Sequence, residues 1–229
     1  MSFDFMAIGH QLSIWLVPVL LAITVHEAAH GWAADKLGDD TARRLGRVTV
    51  NPIKHVDPFG TIALPGLLLL LQAPFLFGWA KPVPVAFHRL NHPKRDMVWV
   101  ALAGPGVNIA MALAAALLLH LVVGGGSTLS QWIADNLFNA IQINVVLAVF
   151  NMLPIPPLDG GRVVTGLLPV PLAIRYARIE RHGLLILLGL LFIVPMVGRQ
   201  LGYDVNPVAT LLQPVMNAVG HLVLLVTGW

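Results

Sequence analysis

Long apolar runs separated by short polar stretches set the plan of this chain. A spanning helix needs about 20 apolar residues. Residues 6–34 supply the first such run, with weakly polar residues before it. Residues 61–78 are apolar but carry Pro65, Gly66 and Pro74, which fits either a spanning helix or a re-entrant hairpin. Residues 96–123 and 131–153 predict two more spans. Residues 183–198 predict a short one kinked by Pro195. Residues 208–226, interrupted by Pro214, either span or lie in the interface. Between the runs, residues 39–60 read as loop with short extended pieces. Residues 47–50 alternate weakly, and Asn51-Pro52 and Asp57-Pro58-Phe59-Gly60 mark turns. Residues 79–85 read as extended, because Pro82 and Pro84 bar a helix. Residues 163–182 read as an amphipathic connection.

Composition agrees with this plan. Of 229 residues, 57% are hydrophobic and only 11% charged, and mean hydropathy is +0.78. Soluble domains carry about 25% charged residues. The pattern therefore predicts an all-α polytopic membrane protein, with about five to six transmembrane helices, a re-entrant apolar segment and short extended strands. One domain over residues 1–229 is expected, with a core at about 10–165 and C-terminal helices over 166–229. The net charge of +3 does not predict nucleic-acid binding, because the basic residues sit beside apolar runs, as in cytoplasmic loops. With no cysteine, disulfides and thiolate metal ligands are excluded. The first Lys or Arg is Lys36, so the basic start of a cleavable signal peptide is lacking.

Charge also orients the chain. Lys36, Arg43, Arg44, Arg47 and Lys54 follow the first run, which puts its N-terminus outside and its C-terminus in the cytoplasm. Both flanks of 61–78 are basic, which favours re-entry over a single crossing. Residues 96–123 then run outward and 131–153 inward, and every basic residue but Arg199 falls inside.

Candidate chemistry lies near the inner end of the first run. His26-Glu27-Ala28-Ala29-His30 has the form H-E-x-x-H. On a helix, positions i and i+4 share a face, so His26 and His30 can grip one metal ion. Glu27 sits about 100° round the helix, within reach of a water at the metal. Chance is a weak explanation in a chain with only two glutamates, Glu27 and Glu180. A buried polar cluster joining helices is the structural alternative. A catalytic zinc takes three protein ligands, so a third is needed. The predicted topology brings Asp159 to the depth of the two histidines, whereas alone it would read as a turn residue in Leu158-Asp159-Gly160-Gly161. His55 and Asp57 read as solvated loop groups. Asn108 suits an interhelical hydrogen bond and a catalytic role equally.

Three motifs in order, His26-Glu27-Ala28-Ala29-His30, Ala103-Gly104-Pro105…Asn108 and Asn151…Pro154…Pro157-Leu158-Asp159-Gly160, resemble those of the site-2 proteases, which are intramembrane zinc metalloproteases. The resemblance covers roughly residues 10–165, and residues 79–85 look like the extended membrane segment of some bacterial members. It implies one Zn²⁺ per chain held by His26, His30 and Asp159, Glu27 as general base, and Asn151 holding the substrate carbonyl or oxyanion. It implies cleavage of transmembrane segments of membrane-protein substrates in regulated intramembrane proteolysis, in a multi-pass protein of the cell membrane with its active site toward the cytoplasm. The type is the compact bacterial or archaeal one without PDZ or CBS extension. An exposed edge at residues 81–85 could hold an unwound substrate by strand addition or be a plain structural loop. A zinc-binding transporter would need polar residues along a path, and here they gather at one depth. A non-catalytic binding module would not need Glu27.

Overall fold

The computed structural model describes residues 5–70 and 78–229. Its helices are α1 (Phe5–Lys36), α2 (Thr41–Arg44), α3 (Leu64–Leu70), α4 (Pro93–Leu119), α5 (Thr128–Asn151), α6 (Asp159–Leu167), α7 (Val170–Ala177), α8 (Glu180–Leu188), α9 (Val194–Gln200) and α10 (Pro207–Thr227). Five helical stretches are long and apolar enough to cross a membrane: Gly9–Lys36, Pro93–Leu119, Thr128–Asn151, Glu180–Gln200 and Pro207–Thr227. Leu12, Leu16, Leu21, Trp32, Leu117, Leu222 and Leu225 lie exposed on these helices. Such a surface would drive aggregation in water, and in a bilayer it meets lipid tails.

The ends of the helices follow local rules. Pro93 opens α4 at a position whose N–H has no helical partner anyway. Ser127 caps α5 by accepting from the Ser130 N–H, so the helix starts three residues before the expected 131. Asn206 caps α10 by accepting from the Ala209 N–H.

Helices α1, α4 and α5 form the centre. The inner face of α4 is Ala101, Gly104, Pro105, Asn108, Ala112, Ala115, Ala116 and Leu119, recurring every three or four residues. Small residues there let α1 and α5 come close, which is how helices associate where lipid removes the hydrophobic drive. His30 meets Val100 while His26 and Ala22 meet Asn108, so α1 and α4 are antiparallel. Ile14 meets Asn139, and Asn108 meets Asn144, so α5 runs with α1.

The chain leaves α1 and returns to α4 at one end of the bundle. The Asn91 N–H donates to the Leu37 carbonyl at 2.8 Å. Within this excursion, the Trp79 N–H donates to the Gly60 carbonyl, and Thr61 Oγ1 donates to the Trp79 carbonyl. The apolar stretch 61–78 therefore starts and finishes at one place, as re-entry requires; residues 71–77 lie outside the described residues. Pro58–Ala63 opens it as a π-helical turn capped by Asp57.

The extended pieces expected at 47–50 and 79–85 form no strand among the described residues. Their backbone groups are taken by side chains and by single loop carbonyls instead. The Lys81 N–H donates to the His55 carbonyl, and Arg47 Nη2 donates to the Lys81 and Pro82 carbonyls at 2.7 and 3.3 Å. The Ala86 N–H donates to Asp39 Oδ2 at 2.6 Å.

The expected placement of Arg199 is corrected. Thr227 and Trp229, at the end of α10, bond His120 and the Ala116 carbonyl at the end of α4. Leu211 and Leu212, near its start, face Met152 and Leu153 at the end of α5. So α10 runs parallel to α4 and begins at the end that holds Asp159. A Cβ on Gly198 would lie 3.1 Å from the Tyr203 carbonyl oxygen, so the link from α9 to α10 is folded tightly. Arg199 therefore lies toward the same end as the other basic residues, not alone on the far side. Six linking residues cannot recross a bilayer, a constraint that alternating spans ignore.

Candidate metal centre

His26, Glu27 and His30 stand on α1 where it passes residues 100–108 of α4. The two imidazoles are buried, and Gly104 makes room for them. A Cβ there would lie 2.4 Å from His30 Nε2 and 2.6 Å from His26 Cε1. Helix packing alone would be met by alanine at this position; only glycine lets the rings lie against the α4 backbone.

Asp159 reaches the same point from the other side. Its position depends on how α6 docks beneath the end of α5. A Cβ on Gly160 would fall 2.2 Å from the Met152 carbonyl oxygen, and one on Gly161 would fall 2.5 Å from the Pro156 nitrogen. Two glycines after Asp159 thus let the start of α6 press against the preceding loop. Instead of a turn, the Asp-Gly-Gly sequence begins a helix with Asp159 as its first residue.

The three side chains converge. His26 Nε2 and His30 Nε2 are 3.0 Å apart, and they lie 3.2 and 3.3 Å from Asp159 Oδ2. Two ligands about 2.05 Å from a tetrahedral ion are separated by roughly 3.3 Å, so the triangle has the size of a metal site. The chemistry of the edges agrees. The Val100 carbonyl, 2.7 Å from His30 Nδ1, can only accept, so that nitrogen carries the proton and neutral His30 presents a lone pair at Nε2. Asp159 Oδ2 is buried without a hydrogen-bond partner. Lone pairs gathered at about 3 Å in a buried place call for a cation between them. Among the described residues, this is the one group of three or more His, Asp or Glu side chains close enough to share an ion.

Glu27 lines the same cavity as the triangle and is held at one oxygen. Its Oε2 accepts the Val83 N–H at 2.7 Å, in the extended segment that passes beside α1. A cavity of about 140 Å³ connects these groups, lined by His26, Glu27, His30, Val83, Asn151 and Asp159 among others. Asn151 reaches this cavity, but its Nδ2 donates back to the Leu147 carbonyl at 3.0 Å within α5. Arg162 lines it too, stacked over the Phe87 ring at 4.8 Å.

His55 and Asp57 stay out of the group. Asp57 caps the Phe59 and Gly60 N–H groups, and His55 Nε2 bonds the Thr49 carbonyl. His55 is buried, 2% exposed, rather than solvated as its loop position suggested. Asn108 takes the interhelical alternative: it bonds His26, Ala22 and Asn144. Sequence reasoning passed over Asn144, Asp39, Arg47 and the Val83 N–H. For Asn144 a signal existed, since an amide inside an apolar span is costly without a partner.

A multi-pass membrane bundle with a buried His-His-Asp group beside a glutamate is that of a zinc metalloprotease, and the relatives agree. The chain is 40% identical over 185 residues to YwhC of Bacillus subtilis, provisionally named a zinc metalloprotease; the match covers 79% of this chain and 80% of the relative. It is 30% identical over 143 residues to Rip2 of Mycolicibacterium smegmatis and 32% identical over 148 to Rip2 of Mycobacterium tuberculosis, also provisionally named zinc metalloproteases. Each of these matches covers 62% of this chain and 52% of the relative, so the chain spans about half the length of the mycobacterial proteins. Peptidase family M50 matches over residues 121–194, a stretch that includes Asp159. The chain belongs to this family, the site-2 proteases. No solved structure matches it.

Proposed function

We propose that this metalloprotease cleaves transmembrane segments of other membrane proteins within the bilayer, with His26, His30 and Asp159 as zinc ligands and Glu27 as general base. The observation that carries the reading is the convergence of His26 Nε2, His30 Nε2 and Asp159 Oδ2, with Glu27 on the next position of the same helix. Membership of family M50 and the apolar helices support the bilayer as the setting.

Zinc, when bound, lowers the pKa of a water toward about 7 and polarises a carbonyl. The chain's own residues do the rest. The Val83 N–H holds one oxygen of Glu27 and leaves the other to take the proton of the attacking water and pass it to the leaving amine. The new C–O bond forms first, and the peptide C–N bond breaks afterwards as the leaving nitrogen takes the proton from Glu27. Asn151 would turn its amide from Leu147 toward the developing oxyanion. A substrate helix must unwind before its carbonyls are free, and the segment at residues 81–85 is the place for the unwound stretch. There, Pro82 and Pro84 have no N–H to donate, and Arg47 holds the Lys81 and Pro82 carbonyls. The N-terminus lies outside and the site toward the cytoplasm, by the placement of basic residues. Residues 1–229 act as one domain.

The test compares membrane fragments from cells carrying the unaltered protein with those from cells carrying Glu27→Gln. The variant keeps the shape and removes the base. Fragments cut within apolar segments should disappear, a loss of about 10²–10⁴-fold in rate, while zinc content stays at one per chain. Cleavage at the unaltered rate would refute the role of Glu27. Cuts confined to soluble loops would refute intramembrane action.

A further inference from the structure

Asn108 on α4 and Asn144 on α5 are 0% and 1% exposed, in the middle of an apolar bundle. An amide side chain has a donor edge and an acceptor edge, and its other bonds decide which edge meets a neighbour. Asn144 Nδ2 donates to the Ala140 carbonyl at 2.8 Å, which turns Asn144 Oδ1 toward Asn108. Asn108 Nδ2 donates to that oxygen at 2.7 Å and to the Ala22 carbonyl at 3.3 Å, using both of its hydrogens. What remains for His26 is Asn108 Oδ1, 2.6 Å from His26 Nδ1. An amide oxygen has no proton to give, so the proton between them belongs to His26.

We propose that Asn108 and Asn144 are positioning residues of the metal centre. A one-way chain of donors, from His26 to Asn108 to Asn144 to the Ala140 carbonyl, fixes His26 with its proton on Nδ1 and its lone pair on Nε2. That lone pair faces His30 and Asp159. The inference rests on His26 being a zinc ligand, as read above. Asn108 does for His26 what the Val100 carbonyl does for His30, with one difference. A backbone carbonyl cannot turn round, whereas an amide can. If Asn108 flipped, its Nδ2 would donate to His26 Nδ1, move the proton to Nε2 and close that nitrogen to the metal. Asn144 opposes the flip from a neighbouring helix. Both partners are neutral, so the chain orders the ligand without adding a charge at membrane depth. Helix gluing alone would need no such polarity.

The test uses the full-length chain in detergent, stripped of zinc. Zinc affinity is measured by chelator competition, folding by thermal unfolding, and the His26 tautomer by ¹⁵N shifts of metal-free protein with labelled histidine. The unaltered protein should show His26 protonated at Nδ1. Asn108→Leu should weaken zinc binding about 10- to 100-fold, the usual effect of losing a partner behind a ligating histidine. Asn144→Leu should weaken it about tenfold by freeing the flip, with mixed His26 tautomers. Asn108→Asp, which still accepts from Nδ1, should retain zinc. His26 protonated at Nε2 in the unaltered protein overturns the inference, whatever the variants do. So does unchanged zinc affinity in folded Asn108→Leu. Should either leucine variant fail to fold, the tautomer of the unaltered protein decides. His26→Ala separates the two readings. If it keeps zinc, the ligand assignment and this inference fall together. If it loses zinc while both asparagine variants bind normally, only this inference falls.

Discussion

At the scale of single residues, the site depends on what is missing as much as on what is present. Gly104 lacks the atom that would strike both imidazoles. Interiors are packed too tightly to absorb such a contact, so α4 would have to move or the rings would turn. Gly104→Ala should therefore lower zinc affinity roughly tenfold or more, as disturbing the groups around a ligand does. Chelator competition on the purified variant measures this, and unaltered affinity would show that the rings have freedom the packing denies. Two carboxylates make a sharper contrast. Asp159→Ala removes one corner of the triangle and should abolish stable zinc binding. Asp57→Ala removes a cap worth about 1 kcal/mol and should lower the unfolding temperature slightly with zinc content unchanged. Full zinc in Asp159→Ala would exclude Asp159 as an essential ligand.

At the scale of elements, the segment between α1 and α4 decides how the site is walled. Its extended part is held by side chains, with Arg47 on the Lys81 and Pro82 carbonyls, Glu27 on the Val83 N–H and Asp39 on the Ala86 N–H. Asp39 also accepts from the Thr41 N–H and hydroxyl, so the end of α1 and the end of the segment are tied at one buried carboxylate. Because the excursion starts and finishes at one end of the bundle, single cysteines at Leu45 and Lys94 should label from the same face of the membrane. A cysteine at Gly126, in the loop between α4 and α5, should label from the other. The chain has no cysteine to confuse the readout. Labelling of Leu45 and Lys94 from opposite faces would contradict both the fold and the meeting of Asp159 with His26.

At the scale of the whole molecule, zinc would join the two ends of the fold's core, α1 and the start of α6. A ligand that binds only the folded state stabilises it by about 2.7 kcal/mol at a hundred times its dissociation constant. Stripping zinc should lower the unfolding temperature of the unaltered protein by several degrees, and Asp159→Ala should not respond. An identical shift in both would place the zinc elsewhere.

The sequence by itself determined the class and the chemistry. Apolar runs of spanning length, basic loops and H-E-x-x-H are local signals, because a bilayer demands long helices and a helix puts i and i+4 on one face. Asp159 was legible at one remove, through the parity of the crossings. The tertiary structure alone decided the rest. Whether α10 runs with α4 or against it depends on a tight link after α9 that leaves no mark in hydropathy. Whether residues 81–85 offer an edge depends on Arg47 and Asp39, far away in the chain. His55 looked solvated and is buried, because loop composition says nothing of what covers a loop. Asn108 could serve packing or chemistry equally until its neighbours were known. An amide's role is set by which of its two edges each neighbour takes, and that is a property of three helices meeting, not of any one of them.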